Sequence, residues 1–194
     1  MLMLKIVQSL DKLNEGEWKS LSDRVLGPDI HPERRETFCF AREALRLALC
    51  EYDYKVEIPD LVLSGYHSLA KFPELTFSLS HTRKTGVALL GRTKDFHSLG
   101  VDVERSDRAV KDSLRDKICH PDDEAKLRNI ELWVLKEAAF KCLSNSGLYS
   151  QQPLYTDLKV SGSSWQHSPS GIKGECELTL HDHLILGKAL LRRS

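Results

Sequence analysis

Two carboxylates separated by one residue stand in the segment L-G-V-D-V-E, which runs from Leu99 to Glu104. Side chains alternate between the two faces of a β-strand, so Asp102 and Glu104 emerge on one face, roughly 7 Å apart, while Val101 and Val103 face the core. Like charges placed in this way repel unless a cation lies between them, and carboxylate oxygens suit Mg²⁺. The pair predicts a magnesium site, with a solvated acidic strand edge as the alternative.

A second group of chemical side chains lies in the segment L-W-V-L-K-E-A-A-F-K-C-L, residues 132–143. Helical spacing of about 100° per residue separates an apolar face from a second face. The apolar face consists of Leu132, Leu135, Ala139, Cys142 and Leu143, and the second face of Trp133, Lys136, Glu137, Phe140 and Lys141. Two aromatic rings are unusual on a solvated face, so the pattern predicts charged groups in a partly buried cleft. The alternative is an exposed helix decorated by the Glu137 and Lys141 pair at i,i+4.

The segment F-S-L-S-H-T ends an alternating strand with Ser80 and His81. The hydroxyl, the imidazole and the N–H groups of the following turn could all donate hydrogen bonds to a phosphate. The alternative is a structural histidine at a strand end. Serine hydrolysis is disfavoured, because the chain lacks a G-x-S-x-G elbow and adjacent strand side chains diverge.

A basic stripe follows the early helix H-P-E-R-R-E-T-F-C-F-A-R-E-A-L-R. Arg35, Arg42 and Arg46 lie within about 40° of one another on that helix, beside its apolar face. Guanidinium groups bind phosphate oxygens in a bidentate manner, so the stripe predicts a phosphate contact. The alternative is a surface helix whose arginines pair with the interleaved Glu33, Glu36 and Glu43.

Two further histidine motifs have simpler interpretations. The H-D-H segment from His181 to His183 lies between two apolar strands and predicts a hairpin turn rather than a metal site. Cys119 and His120 precede P-D-D-E and predict a helix entry rather than a nucleophile and its base.

The elements that must position these residues follow from periodicity and turn composition, and they predict an α+β fold. Strands are expected near 3–8, 75–80, 87–91, 99–104, 154–160, 175–181 and 183–191, with the second and third forming an antiparallel pair. Helices are expected near 12–24, 32–51, 107–117, 121–129 and 131–143, and a surface loop at 162–171. Each half then combines helices with a small antiparallel sheet, and the chain divides into residues 1–98 and 99–194.

The overall composition argues against several classes of protein. The 194 residues are 41% hydrophobic and 29% charged, with 28 basic and 28 acidic side chains, so neither nucleic acid nor an anionic membrane is an expected partner. No apolar run approaches the roughly 20 residues that cross a bilayer, and the first residues do not resemble a signal peptide. Five dispersed cysteines are typical of a reducing compartment, so a cytoplasmic protein is expected.

Read together, G-V-D-V-E and the later W-x-x-K-E-A-x-x-K resemble the paired signature of the 4′-phosphopantetheinyl transferase superfamily. F-S-L-S-H-T is similar to that family's S-H motif, and R-R-E-T-F-C-F-A-R-E-A-L-R resembles the early helix of its longer, Sfp-type branch. The four segments occur in the same order as in the family.

This resemblance implies a pseudo-twofold pair of similar halves, with coenzyme A and magnesium in the cleft between them. Asp102, Glu104 and Glu137 would then hold Mg²⁺, and Asp102, Glu137 and Lys141 would be catalytic. The implied contacts to coenzyme A phosphates are Arg35, Arg42, Ser80, His81 and Lys141. The implied reaction transfers 4′-phosphopantetheine to a serine of an apo acyl or peptidyl carrier protein and releases 3′,5′-ADP, and the resemblance also implies a monomer.

Two other functions remain as alternatives. One is a module that binds coenzyme A or a carrier protein without turnover, against which the intact Asp102, Glu104, Glu137 and Lys141 argue. The other is a magnesium-dependent phosphohydrolase acting on a nucleotide, which would explain the carboxylates but not the aromatic-flanked K-E-x-x-x-K face beside an arginine stripe.

Overall fold

The computed structural model describes residues 2–8, 15–63, 68–161 and 163–193 and divides into two compact units, Met1–Arg92 and Thr93–Ser194. The architecture is α+β, as predicted, with helices and two antiparallel sheets. The boundary between the units lies after Arg92, six residues before the predicted boundary after Ser98. The reason is that strand β4 (Phe96–Arg105) already begins at Phe96 and pairs with a strand of the second unit.

The first unit packs two helices with a three-stranded sheet. Its helices are α1 (Glu15–Leu26) and α2 (Pro32–Glu51), and its strands are β1 (Leu2–Val7), β2 (Leu75–Thr82) and β3 (Thr85–Arg92). The strand order is β1-β3-β2, and both neighbouring pairs are antiparallel, as predicted for the hairpin. Helix α1 extends beyond the predicted end, and residues 12–14 of that prediction lie outside the described residues.

Helix α2 begins and ends where the sequence indicates. The His31 side chain accepts a hydrogen bond from the backbone N–H of Glu33, and Pro32 occupies the first turn, where its missing N–H costs nothing. The buried face of the helix comprises Cys39, Phe40, Ala41, Ala44, Leu45, Ala48 and Leu49. A Cβ at Gly86 of β3 would collide with the Phe40 backbone, so a glycine is needed for this close packing of helix on strand.

The second unit contains a five-stranded antiparallel sheet of order β4-β8-β7-β6-β5. Besides β4, its elements are α3 (Asp112–Ile118), α4 (Asn129–Asn145), β5 (Leu158–Ser161), β6 (Ser164–His167), β7 (Lys173–His181) and β8 (Leu184–Arg192). His181 pairs with Leu184 across a two-residue loop in which Asp182 has a φ of 51°. The prediction that H-D-H forms a hairpin turn is therefore confirmed.

Helix α4 lies directly on β4 and β8. A Cβ at Gly100 would collide with the carbonyl oxygen of Ala138, and one at Gly187 would press on Val134. Two glycines on adjacent strands thus let the helix backbone approach the sheet. Because Gly187 pairs with Asp102, the same contact brings α4 beside the acidic residues of β4.

Three predicted elements of this unit are corrected by the structure. Residues 121–128 form turns instead of a helix, because Asp123 accepts hydrogen bonds from the backbone N–H groups of His120 and Val160. Cys119 follows the end of α3 and does not open a helix, and α3 itself is shorter than predicted. The predicted loop at 162–171 contains β6, whose Trp165 and His167 are buried.

No helix among the described residues is both long enough and apolar enough to cross a membrane.

Candidate active site

The two segments of the paired signature meet where α4 lies on β4. The Lys141 Nζ donates a hydrogen bond to Asp102 Oδ1 at 2.7 Å and another to the Val101 carbonyl at 3.1 Å. Val101 and Val103 are buried, as predicted, but Asp102 is also only 7% exposed. The alternative of a solvated acidic strand edge is therefore wrong, since Asp102 is an almost buried carboxylate paired with a cation.

Glu137 lies on the same helix, one turn before Lys141, and is half-buried. The Tyr155 hydroxyl donates to Glu137 Oε1 at 2.7 Å. Burial raises the pKa of Glu137, and the negative charge of Asp102 raises it further, while the Tyr155 hydrogen bond and the charges of Lys141 and Arg108 oppose this shift. Glu137 and Asp102 are thus electrostatically coupled, as expected for carboxylates that serve one site.

Glu104 lies two residues beyond Asp102, and its side chain is 14% exposed. It forms an ion pair with Arg108, which follows the strand. The charge of Arg108 also lowers the pKa of Glu137. Arg108 is therefore a cation of this region that the sequence analysis did not identify.

The three carboxylates predicted as metal ligands each have a protein partner: Lys141 for Asp102, Arg108 for Glu104 and Tyr155 for Glu137. Within residues 2–8, 15–63, 68–161 and 163–193, no three His, Cys, Asp or Glu side chains form a group that could hold a metal ion by themselves. Mg²⁺, however, commonly uses only one or two carboxylates and completes its shell with substrate phosphates and water. Asp102 and Glu137 fit that requirement, because a cation would offset both the burial that chiefly raises the pKa of Glu137 and the smaller contribution from the negative charge of Asp102.

The second face of α4 divides into two environments. Trp133, Glu137, Phe140 and Lys141 are half-buried, as the predicted cleft requires. Lys136 instead is fully buried and forms an ion pair with Asp123 at 2.7 Å. Its ammonium group also donates to the carbonyl oxygens of Tyr155 and Leu158, so Lys136 supports the segment before β5.

In the first unit, the arginines of α2 have unequal environments. Arg46 forms a bidentate pair with Glu43, with both N–O distances at 2.7 Å, so its charge is already balanced, as the ion-paired alternative expects. Arg35 donates to Asp23 Oδ1 at 2.5 Å and lines a cavity of about 350 Å³ with residues of α1 and α2. Its Nε is buried and lacks a hydrogen-bond partner among the described residues.

Arg42 has a different environment from Arg35 and Arg46, because an aromatic ring lies next to its guanidinium group. Its guanidinium carbon lies 4.7 Å from the centroid of the Phe38 ring. Burial lowers the pKa of Arg42 to about 10, and in the described part of the chain its buried Nε has no hydrogen-bond partner. A cation in this condition would gain from an anionic ligand, because a charge–anion contact would offset the cost of burial.

Ser80 and His81 lie on β2, as predicted, at the strand end that leads into the hairpin. Ser80 is 6% exposed, whereas His81 is exposed, so the two side chains lie on opposite faces of the strand. This divergence agrees with the argument against a serine–histidine hydrolytic pair.

Tyr155 and Asp123 were also absent from the sequence-based site. Tyr155 follows the predicted start of a strand at Leu154, but the chain forms a 3-10 turn at Tyr155–Asp157 before β5 begins. Neither residue shows a local motif, because each acts through a contact with α4 that is distant in sequence. The available signal in the sequence was the placing of Lys136 and Glu137 on a helix face with two aromatic residues. Charged side chains in a partly buried cleft need polar partners, although the sequence does not show which residues supply them.

Comparison with known proteins identifies one region of similarity. No curated protein matches the chain. Residues 98–175 match the family model ACPS, the 4′-phosphopantetheinyl transferase superfamily. The matched range contains the coupled carboxylates, Lys141 and Tyr155, and it supports a transferase that uses coenzyme A.

Proposed function

We propose that this protein transfers the 4′-phosphopantetheine arm of coenzyme A to a serine hydroxyl of an apo acyl or peptidyl carrier protein. The observation that carries the proposal is the contact between β4 and α4. There Lys141 donates a hydrogen bond to Asp102, and the charge of Asp102 contributes to the raised pKa of Glu137. This arrangement lies within residues 98–175, the range that matches the transferase superfamily.

Glu137 is the proposed general base. The serine oxygen forms a bond to the β-phosphorus of coenzyme A while the bond from that phosphorus to the bridging oxygen breaks, and 3′,5′-ADP leaves. Glu137, directly or through water, accepts the proton that the serine hydroxyl loses. The Glu137 carboxylate is half-buried and is held by the Tyr155 hydroxyl one helical turn before Lys141, so it is placed to serve as that base.

Magnesium is the proposed cofactor: Asp102 and Glu137 are the residues that would hold it directly, and Glu104, which pairs with Arg108, would act beside them. When bound, Mg²⁺ would polarise the pyrophosphate and offset negative charge. Asp102 is already oriented by Lys141, and Glu104 by Arg108. Lys141 has 27% of its side chain exposed, and we assign it to the phosphate oxygens of the departing nucleotide.

The proposed contacts of the first unit are Arg35, Arg42, Ser80 and His81. Arg42 has the strongest support, because its side chain is half-buried and its buried Nε lacks a partner within the described residues. Ser80 and His81 supply a hydroxyl and an imidazole for phosphate oxygens. We assign these four residues to coenzyme A phosphates.

The test is to incubate the purified protein with coenzyme A, Mg²⁺ and several apo carrier proteins, and to weigh each carrier by mass spectrometry. We expect a mass gain of one phosphopantetheine arm, and chelation of the metal should abolish it. Coenzyme A binding without a mass gain would favour a binding module. Phosphate release in the absence of carrier would favour a phosphohydrolase.

A matched pair of variants tests the assignment of the base. Glu137→Gln should nearly abolish transfer, whereas Glu177→Gln, which changes an exposed carboxylate on β7, should retain the wild-type rate. Circular dichroism of both variants would show that the fold persists. Wild-type turnover by Glu137→Gln would remove Glu137 from the mechanism.

A further inference from the structure

Tyr155 is held by aromatic contacts on one side of α4. Its ring stacks on Phe140, with centroids 4.8 Å apart and planes at 22°, and it lies 5.8 Å from the Trp133 centroid. Trp133 and Phe140 are seven residues apart, two helical turns, so they present one stripe of α4 to the tyrosine ring. The ring therefore has a fixed place along the helix.

The backbone of Tyr155 is held by the same helix. Lys136 Nζ donates to the Tyr155 carbonyl oxygen at 3.2 Å and also to that of Leu158. Lys136 is in turn fixed by its buried ion pair with Asp123. Because both the ring and the carbonyl are anchored, the position of the Tyr155 hydroxyl is determined by α4 itself.

That hydroxyl reaches the carboxylate of Glu137, donating to Oε1 at 2.7 Å. A hydrogen bond to an ionised carboxylate is short and roughly twice as strong as one between neutral groups. Glutamate otherwise has several rotatable bonds, and the restraint on one oxygen reduces its freedom. The W-x-x-K-E-A-x-F part of α4 thus contributes four residues that contact Tyr155: Trp133, Lys136, Glu137 and Phe140.

We propose that Tyr155 is a positioning residue that fixes the Glu137 carboxylate for proton transfer, and that Lys136 serves the site indirectly by fixing Tyr155. This inference rests on the proposed function, because it assigns the consequence of the restraint to that reaction. It also gives the buried Lys136 a role that requires no contact with substrate.

The test compares Tyr155→Phe, which keeps the ring and removes only the hydroxyl, with Tyr149→Phe as the matched control. Tyr149 packs edge-on against His167 in the same unit and has no assigned role in the site. Tyr155→Phe should lower kcat by about tenfold to a hundredfold, the loss expected for a hydrogen bond to a charged group, with KM for coenzyme A changed by less than about twofold. Tyr149→Phe should leave both constants unchanged.

The outcomes separate this inference from the proposed function. Unchanged kcat in Tyr155→Phe, while the wild type transfers, would overturn the positioning role alone, as would a raised KM with unchanged kcat. If the wild type fails to transfer at all, the proposed function fails. Crystal structures of the wild type and Tyr155→Phe then decide the structural part, since a Glu137 carboxylate in the same single position in both would overturn it and a displaced one would support it.

Discussion

At the scale of single residues, Arg42 combines a half-buried side chain with a buried Nε that lacks a hydrogen-bond partner in the part of the chain the structure describes. Arg42→Met should weaken coenzyme A binding by about tenfold to a hundredfold, because a hydrogen bond to a charged group is lost. The free energy of unfolding should not fall, since the variant removes an incompletely compensated buried charge. Calorimetric titration and urea unfolding measure the two effects.

The control for this prediction is Arg34→Met, which changes an exposed arginine on the same helix. Its coenzyme A affinity should match the wild type apart from a small effect of net charge. Equal affinities for Arg42→Met and the wild type would show that Arg42 does not contact the ligand.

The buried pair of Lys136 and Asp123 gives a second prediction at this scale. Lys136→Met should lower the free energy of unfolding by about 3–5 kcal/mol, because it leaves the Asp123 carboxylate buried without its cation. The double variant Lys136→Met with Asp123→Asn should recover part of that loss, since it removes both charges and keeps an acceptor for one of the two backbone N–H groups. Urea unfolding of the single and double variants completes the cycle, and strictly additive losses would show that the pair is not coupled.

The pH dependence of stability should report the same lysine. Burial lowers the pKa of Lys136 below its ordinary 10.5, so the unfolded chain binds this proton more tightly than the folded chain. The stability of the wild type relative to Lys136→Met should therefore rise with pH from the lowered value up to 10.5, and level off on either side of this window. Urea unfolding across the alkaline range checks the sign, and a relative stability that falls with pH would contradict it.

At the scale of elements, the site depends on the close approach of α4 to β4. Gly100→Ala should lower the free energy of unfolding by about 1–3 kcal/mol, because the added Cβ collides with the Ala138 carbonyl and forces the two elements apart. It should also reduce transfer, since Asp102 and Glu137 lie on the separated elements. Ser144→Ala, on an exposed position of α4, is the control and should not lose stability.

Most elements of the chain could be predicted from local patterns. Helix α2 combines Pro32 in its first turn with a long apolar stripe, and its predicted bounds agree with the structure. The short strand β6 could not be recognised, because Trp165 and His167 are buried within a segment rich in serine and glycine. The expected helix near 121–129 is absent, because Asp123 accepts hydrogen bonds from the backbone N–H groups of the nearby His120 and of Val160. Val160 is 37 residues away, so no local pattern reveals that second contact.

The same distinction applies to the candidate site. The alternation of Asp102 with valines and the helical spacing of Glu137 and Lys141 could be predicted, since each depends on neighbours in sequence. Tyr155 could not, because its contact with Glu137 depends on how the turn before β5 returns the chain to α4. Arg108 could not, because its pair with Glu104 depends on the turn that the chain makes directly after β4. The assignments to metal and coenzyme A stay predictions.

At the scale of the whole molecule, ligand binding should stabilise the folded chain. Coenzyme A with Mg²⁺ at a hundredfold excess over Kd should add about 2.7 kcal/mol to the free energy of unfolding, because the ligand binds only the folded state. Thermal unfolding monitored by calorimetry should show a rise in Tm that increases with ligand concentration. Glu177→Gln should show the same rise and Arg42→Met a smaller one, whereas no change in Tm for the wild type would argue against coenzyme A as a ligand.

The pairing of β4 with β8 has a consequence for how this chain folds while it is being synthesised. The strand with Asp102 and Glu104 has its hydrogen-bonded neighbour at Leu184–Arg192, at the far end of the second unit. A ribosome must therefore synthesise all the residues between β4 and β8 before these acidic residues acquire their sheet partner, and pairings so distant in sequence form slowly. The nascent chain can complete the sheet of its first unit early, but Asp102 and Glu104 gain their place in the second sheet only after β8 has emerged.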